Sequence, residues 1–139
     1  MDFEDFVAAA RAVVEDEARA HAEDRWWIFE PRLVVQRRDL RVVPLTESEP
    51  ARRALRTGDL ADLLPALGAR RVAIALHVDL AIEGQPVPAV VLAIVGGIAH
   101  AVQHARVERT DFGTPVLGPW EPSDLEESDV AAALRAAGG

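Results

Sequence analysis

The chain has 139 residues, half of them hydrophobic, and a formal net charge of −8 at pH 7. This apolar content is high enough to build a packed core, which argues against an intrinsically disordered chain. The sequence contains no cysteine and no lysine, so disulfides, thiolate metal sites, cysteine nucleophiles and Schiff-base chemistry are excluded.

An amphipathic helix is predicted over residues 3–24. Its apolar residues recur at spacings of three and four along one face, at Phe3, Phe6, Val7, Ala10, Val13, Val14 and Ala18. An aromatic cluster follows at residues 26–29, and Pro31 ends any helix before it. Aromatic side chains commonly anchor a helix to a sheet, so we assign the cluster to the core; a binding surface is the alternative.

A β-hairpin and a short middle helix are predicted next. Two β-prone runs, residues 33–35 and 41–43, flank a polar segment and indicate the hairpin. Ser48 is the expected N-cap of a helix that runs to about Arg56. A short leucine-rich helical segment then ends at Gly68.

A meander of three long strands is predicted after these helices. Large aliphatic residues alternate with smaller or polar ones over residues 72–82, which is the period of a strand with one apolar face. Residues 87–95 are apolar on both faces, as in a central strand. Turns are expected at residues 83–86 and at Gly96-Gly97. Residues 98–109 form the third strand in this prediction, and a helix favoured by their alanine-rich start is the alternative.

A short edge strand and a helix are predicted at the end of the chain. Residues 114–117 form the strand, and Ser123 and Glu126 form the capping box that opens a helix ending before Gly138. The whole pattern predicts one α+β domain over residues 1–139. Its antiparallel sheet, a hairpin plus a three-strand meander, is expected to be packed on one face by an N-terminal helix, a short middle helix and a C-terminal helix.

Four side chains of the meander are the candidate ligand-binding residues: His77, Asp79, His100 and His104. They share one sheet face if the first turn has an odd number of residues, which we prefer because it stacks the large aliphatics of the first two strands on the other face. In that arrangement two of the histidines flank Ala93. With a two- or four-residue turn, His77 and Asp79 lie on the opposite face from the other two. The spacing matches no established metal signature, so no metal or other cofactor is expected.

The composition also restricts partners and location. The acidic balance argues against nucleic acid, which requires a cationic surface, and the arginine pairs at residues 37–38, 52–53 and 70–71 are interpreted as solvated charges. The acidic start lacks the basic region of a signal peptide. The longest apolar run, residues 89–99, is interrupted by glycines and is shorter than the about 20 residues that span a bilayer. A cytoplasmic protein without a membrane partner is expected.

These observations favour a non-enzymatic protein-interaction domain. The chain has no established catalytic motif, and no catalytic residue is assigned. Self-association as a homodimer is expected through a sheet face of small residues, namely Ala73, Ala75, Ala81 and Ala89. The alternative is a small-ligand-binding or enzymatic domain with a cone-shaped pocket. That pocket would be lined by His77, Asp79, His100 and His104.

Overall fold

The computed structural model describes residues 2–21, 23, 30–97 and 99–138. The helices of this part of the chain are α1 (Phe3–Ala20), α2 (Glu49–Thr57), α3 (Leu63–Leu67) and α4 (Glu127–Gly138). The strands are β1 (Arg32–Gln36), β2 (Leu40–Pro44), β3 (Arg71–Ile82), β4 (Gln85–Gly96), β5 (Ala99–Arg109), β6 (Pro115–Leu117) and β7 (Glu121–Pro122). Two short 3-10 helices occupy Leu45–Glu47 and Leu60–Asp62. The predicted aromatic cluster at residues 26–29 lies outside the described residues.

The strands form one antiparallel sheet in the order β2-β1-β3-β4-β5-β6, with β7 paired to β5. This confirms the α+β class, the hairpin and the three-strand meander. Residues 99–109 are a strand, so the helical alternative for this segment is wrong. The sheet brings β1 beside β3, although α2 and α3 separate these strands in the sequence.

Helix ends follow local capping chemistry. The Asp5 N–H donates to Asp2 Oδ1 at 2.8 Å, which starts α1; this helix ends at Ala20, four residues before the predicted end. The Ser48 hydroxyl accepts from the Ala51 N–H at the start of α2, as predicted. No helix in the described ranges combines the length and the apolarity needed to cross a bilayer.

Helix α4 begins later than the predicted capping box. The Ser123 hydroxyl accepts from the Leu125 N–H at 3.3 Å, which closes a turn rather than a helix. The Glu126 N–H donates to Asp129 Oδ2 at 3.0 Å, and the helix starts directly afterwards at Glu127. Glu126 and Asp129 therefore cap the helix in place of Ser123 and Glu126.

The helices are divided between the two faces of the sheet, so the molecule has three layers. One cluster packs α1 residues such as Phe6 and Val14 onto Ala73 and Leu92. A separate cluster packs α2, α3 and α4 onto the opposite face, around residues such as Ile74. The expectation that all helices pack on the face of the large aliphatics is therefore wrong for α1. The alanines of the other face are small enough for α1 to pack closely against the sheet.

Candidate functional site

The four predicted ligand-binding residues are divided between the two faces of the sheet. His77 and Asp79 occupy odd positions of β3, on the face that α1 covers. His100 and His104 occupy even positions of β5 and lie on the face of α2, α3 and α4. The preferred arrangement, with all four on one face, is therefore wrong, and they cannot line one common pocket.

The length of the first meander turn causes this division. Ile82 pairs with Gln85, which leaves Glu83 and Gly84 as a two-residue turn. Both turn residues have positive φ, 51° and 78°, as in the type I′ turns that match the twist of paired strands. An even turn reverses the parity between strands, so odd positions of β3 share a face with even positions of β4.

The second meander turn is displaced by one residue along the chain. Gly96 pairs with Ala99 rather than closing the turn with its glycine neighbour. His100 consequently pairs with Val95 instead of Ala93. The predicted row in which an alanine separates two histidines does not form.

Two histidines connect β5 to the C-terminal segment. His100 Nδ1 lies 3.0 Å from Glu127 Oε1, and His104 Nε2 lies 3.4 Å from Glu121 Oε2. The His104 side chain is only 12% exposed, and neither of its ring nitrogens has a hydrogen-bond partner among the described residues. Within the described ranges, no three histidine or carboxylate side chains are grouped to hold a metal ion.

His77 lies in a different environment on the α1 face. Burial lowers the pKa of His77; the nearby Asp79 carboxylate opposes this shift, and the Arg109 guanidinium adds to it. The net result is a lowered pKa for His77, which favours the neutral imidazole.

The predicted small-residue surface is largely covered by the chain itself. Ala73, Ala75 and Ala89 are fully buried; the first two lie beneath α1, whereas Ala89, at an odd position of β4, lies on the opposite face. Ala81, further along β3, is exposed. A second copy could reach Ala73 or Ala75 only after displacement of α1, so this face offers little surface for self-association.

An arginine-rich cleft lies at the end of the sheet where the β1–β2 hairpin meets the α3–β3 connection. It is open to solvent and has a volume of about 910 Å³. Its lining, which we call the arginine cleft, consists of Gln36, Arg37, Arg38, Asp39, Leu40, Arg41, Gly68 and Arg70. Four guanidinium groups from two separate segments therefore surround one space.

Hydrogen bonds join the two walls of the arginine cleft, which are the β1–β2 hairpin and the α3–β3 connection. The Arg70 N–H donates to the Gln36 carbonyl at 2.9 Å, and Arg37 Nε donates to the Leu67 carbonyl at 2.7 Å. Gly68 ends α3 with φ of 59°, a left-handed conformation that glycine adopts without strain and that redirects the chain toward β3. Arg71 Nη1 donates to Gln36 Oε1 at 2.9 Å, so a buried side chain also joins the walls.

The arginine cleft is cationic within an acidic chain. Its four arginines and one aspartate give a formal charge of +3, against −8 for the whole chain. Arg41 Nε lies 3.5 Å from Asp39 Oδ2, and both side chains are more than 60% exposed. Within the described part of the chain, no carboxylate oxygen lies within 4.0 Å of a guanidinium nitrogen of Arg37, Arg38 or Arg70.

The arginine pair at residues 52–53 has a carboxylate neighbour, unlike Arg37, Arg38 and Arg70. Arg52 Nη2 lies 2.7 Å and Arg53 Nη2 lies 3.8 Å from the carboxylate of Glu49 on the same helix. The interpretation as a solvated charge fits Arg53, whereas Arg52 is partly buried and its Nε has no hydrogen-bond partner among the described residues. The same interpretation does not predict the arginine cleft, because residues 37–38 and 70–71 come together only through the pairing of β1 with β3.

The arginine cleft thus groups four guanidiniums, and those of Arg37, Arg38 and Arg70 have no carboxylate within 4.0 Å among the described residues. Guanidinium groups in such a cluster bind carboxylate or phosphate oxygens through paired N–H donors. The comparisons add no further assignment, because no protein-family model, curated protein or solved structure matches the chain.

Proposed function

We propose that this chain is a non-enzymatic binding domain that captures an acidic segment of a partner protein in the arginine cleft. The observation that carries the proposal is the group of three guanidiniums, of Arg37, Arg38 and Arg70, without a carboxylate neighbour among the described residues. Internal ion pairs need not be broken at these three positions when a partner binds. The interaction surface in this function is the hairpin end of the sheet rather than the face of small residues.

The chemistry of the cleft favours a polypeptide carboxylate over other anions. A nucleic acid chain carries phosphates beyond any single cleft, and here they would meet a surface whose remaining charge is strongly negative. Small-molecule sites enclose most of their ligand, whereas this cleft is open and is walled by exposed, charged side chains. A short acidic segment can place several carboxylates among the guanidiniums and leave its ends in solvent.

The test is a comparison of two charge reversals with equal effect on net charge. Binding of a short fluorescein-labelled polyglutamate peptide is measured by fluorescence anisotropy at an ionic strength of about 0.1 M. The variant Arg38→Glu/Arg70→Glu removes two cleft guanidiniums, and Arg53→Glu/Arg56→Glu on α2 is the matched control. We expect the cleft variant to lose about tenfold or more in affinity, since exposed ion pairs contribute up to about 1 kcal/mol each and reversal adds repulsion.

The control is expected to retain affinity within about threefold, because α2 lies outside the cleft and exposed charges are largely screened beyond about 10 Å. Equal losses in the two variants would show that net charge alone governs binding. Absence of binding by the unmodified chain would overturn the proposal. Tighter binding of a single-stranded oligonucleotide of matched charge would assign the cleft to phosphates instead.

A further inference from the structure

Strand β2 is an edge of the sheet and forms part of the wall of the arginine cleft. Its strand neighbour is β1, and no other described strand pairs with it. Leu40 and Arg41 belong both to this strand and to the cleft lining. Any segment held in the cleft therefore lies beside unpaired backbone.

The hydrogen-bond pattern identifies which groups of β2 face outward. The Arg37 N–H donates to the Asp39 carbonyl at one end of the hairpin, and the Leu45 N–H donates to the Pro31 carbonyl at the other, both at 3.0 Å. Hydrogen-bonded and non-hydrogen-bonded pairs alternate along an antiparallel ladder. Odd positions of β2 therefore bond to β1, whereas the N–H and C=O groups of Leu40 and Val42 point away from it.

The side chains of β2 also alternate in character. Arg41 pairs with Val35 and projects to the face of α2 and α3, toward the cleft arginines. Leu40 and Val42 project to the opposite face and are 38% and 47% exposed. The open edge thus has a cationic side and an apolar side.

Charge complementarity decides between a second copy and an acidic partner. A second β2 edge paired with this one would bring its own arginines close to Arg37 and Arg41, and like charges on neighbouring strands are destabilising. Charged side chains on edge strands commonly prevent such self-pairing. The same arginines stabilise an added strand that carries carboxylates on the matching face.

Resting on the proposed function, the geometry points to strand addition. The acidic segment binds in extended form along β2, and its backbone pairs with the outward groups of Leu40 and Val42. Its residues alternate between acidic side chains, which face Arg41 and the cleft, and apolar side chains, which cover Leu40 and Val42. This is the mode in which main-chain hydrogen bonds supply affinity and alternate side chains supply specificity.

The test removes one outward donor and leaves the arginines in place. Val42→Pro deletes an N–H that does not bond to β1, so the hairpin ladder is preserved; Val42→Ala is the matched control, which retains the N–H. The probe is a short labelled peptide of alternating glutamate and valine, measured by fluorescence anisotropy. We expect Val42→Pro to lose about tenfold or more in affinity and Val42→Ala to stay within about threefold.

A second measurement uses the unmodified protein, in case Val42→Pro does not fold as judged by circular dichroism. The peptide is N-methylated at alternate residues on one edge or on the other. Strand addition predicts that methylation of one edge abolishes binding and methylation of the other does not. Equal binding of both methylated peptides, or undiminished binding by folded Val42→Pro, would overturn strand addition while the loss in Arg38→Glu/Arg70→Glu still supports the arginine cleft.

Discussion

The backbone N–H of Arg70 bonds to the carbonyl oxygen of Gln36 across 2.9 Å, and this contact joins the two arginine-bearing segments. The Gln36 side chain adds a second connection, because its Oε1 accepts from Arg71 Nη1. Gln36 is only 8% exposed although it is polar. Its buried position is explained by these two hydrogen bonds, which satisfy its acceptors.

The substitution Gln36→Leu tests this connection. It keeps a side chain of similar size and the backbone bond, but removes the acceptor for Arg71. We expect a loss of about 1–3 kcal/mol in the free energy of unfolding, the typical cost of losing a hydrogen bond to a charged group. Urea denaturation at pH 7 measures it. An unchanged urea midpoint would show that the side-chain bond contributes nothing to the stability of the fold.

Removal of the cleft carboxylate is expected to strengthen binding. Asp39 competes with a ligand for Arg41, since their side chains lie 3.5 Å apart. Asp39→Asn should raise the affinity for the polyglutamate peptide by about two- to fivefold, as expected for one exposed ion pair. Stability should change by less than about 0.5 kcal/mol, because both side chains are largely exposed. A weaker affinity in the variant would contradict this role for Asp39.

Two substitutions that replace alanines of β3 by leucine test whether α1 covers the sheet. Ala75 and Ala81 lie on the same face of β3, the first fully buried and the second exposed. Ala75→Leu should destabilise the fold by about 1–3 kcal/mol through overpacking. Ala81→Leu, the matched control, should change the free energy of unfolding by less than about 0.5 kcal/mol. Thermal and urea unfolding of both variants measure these changes in the free energy of unfolding. Equal changes in the two variants would mean that α1 does not pack at Ala75.

The pKa of His77 predicts a stability that depends on pH. Its folded pKa is lower than the ordinary value of 6.5 because of burial, so the unfolded chain binds this proton more readily. The stabilising contribution is complete above pH 6.5 and is lost as the pH falls through the lowered folded pKa. His77→Gln should remove this dependence, which for one proton is at most about 1.4 kcal/mol per pH unit.

The measurement is urea unfolding of the unmodified chain and of His77→Gln at several pH values around 6. The free energy of unfolding of the unmodified chain should fall more steeply with acidification than that of the variant. The variant His21→Gln serves as the comparison for loss of an imidazole elsewhere. Parallel pH profiles for the unmodified chain and His77→Gln would show that His77 does not cause the pH dependence of stability.

Local sequence patterns predicted most strands and helices but not the faces of the meander. Pro86 was assigned to a turn, whereas Pro86 and Pro88 lie inside β4. Pairing of β4 with β5 begins only at Ala89, and alternation from the Ile82–Gln85 turn pair directs the nitrogens of both prolines to this unpaired side. Proline is tolerated there, and the turn contracts to two residues.

The candidate site could not be predicted for a different reason. Arg38 and Arg70 come together through the pairing of β1 with β3, which is a contact between segments separated by two helices. Periodicity and turn chemistry describe neighbours along the chain and carry no information on this pairing. The alanines of β3 were likewise assigned to an outer surface, although small side chains also suit a face beneath a helix.

The three-layer arrangement has a consequence for how the molecule tolerates change. The buried clusters under α1 and under α2–α4 share no residue, since the two sets alternate along the central strands. Free-energy effects of substitutions add when the sites have no common neighbours. Substitutions in α1 and in α2–α4 should therefore combine independently, whereas substitutions at adjacent positions of one central strand, such as Ala73 and Ile74, remain coupled through their shared backbone.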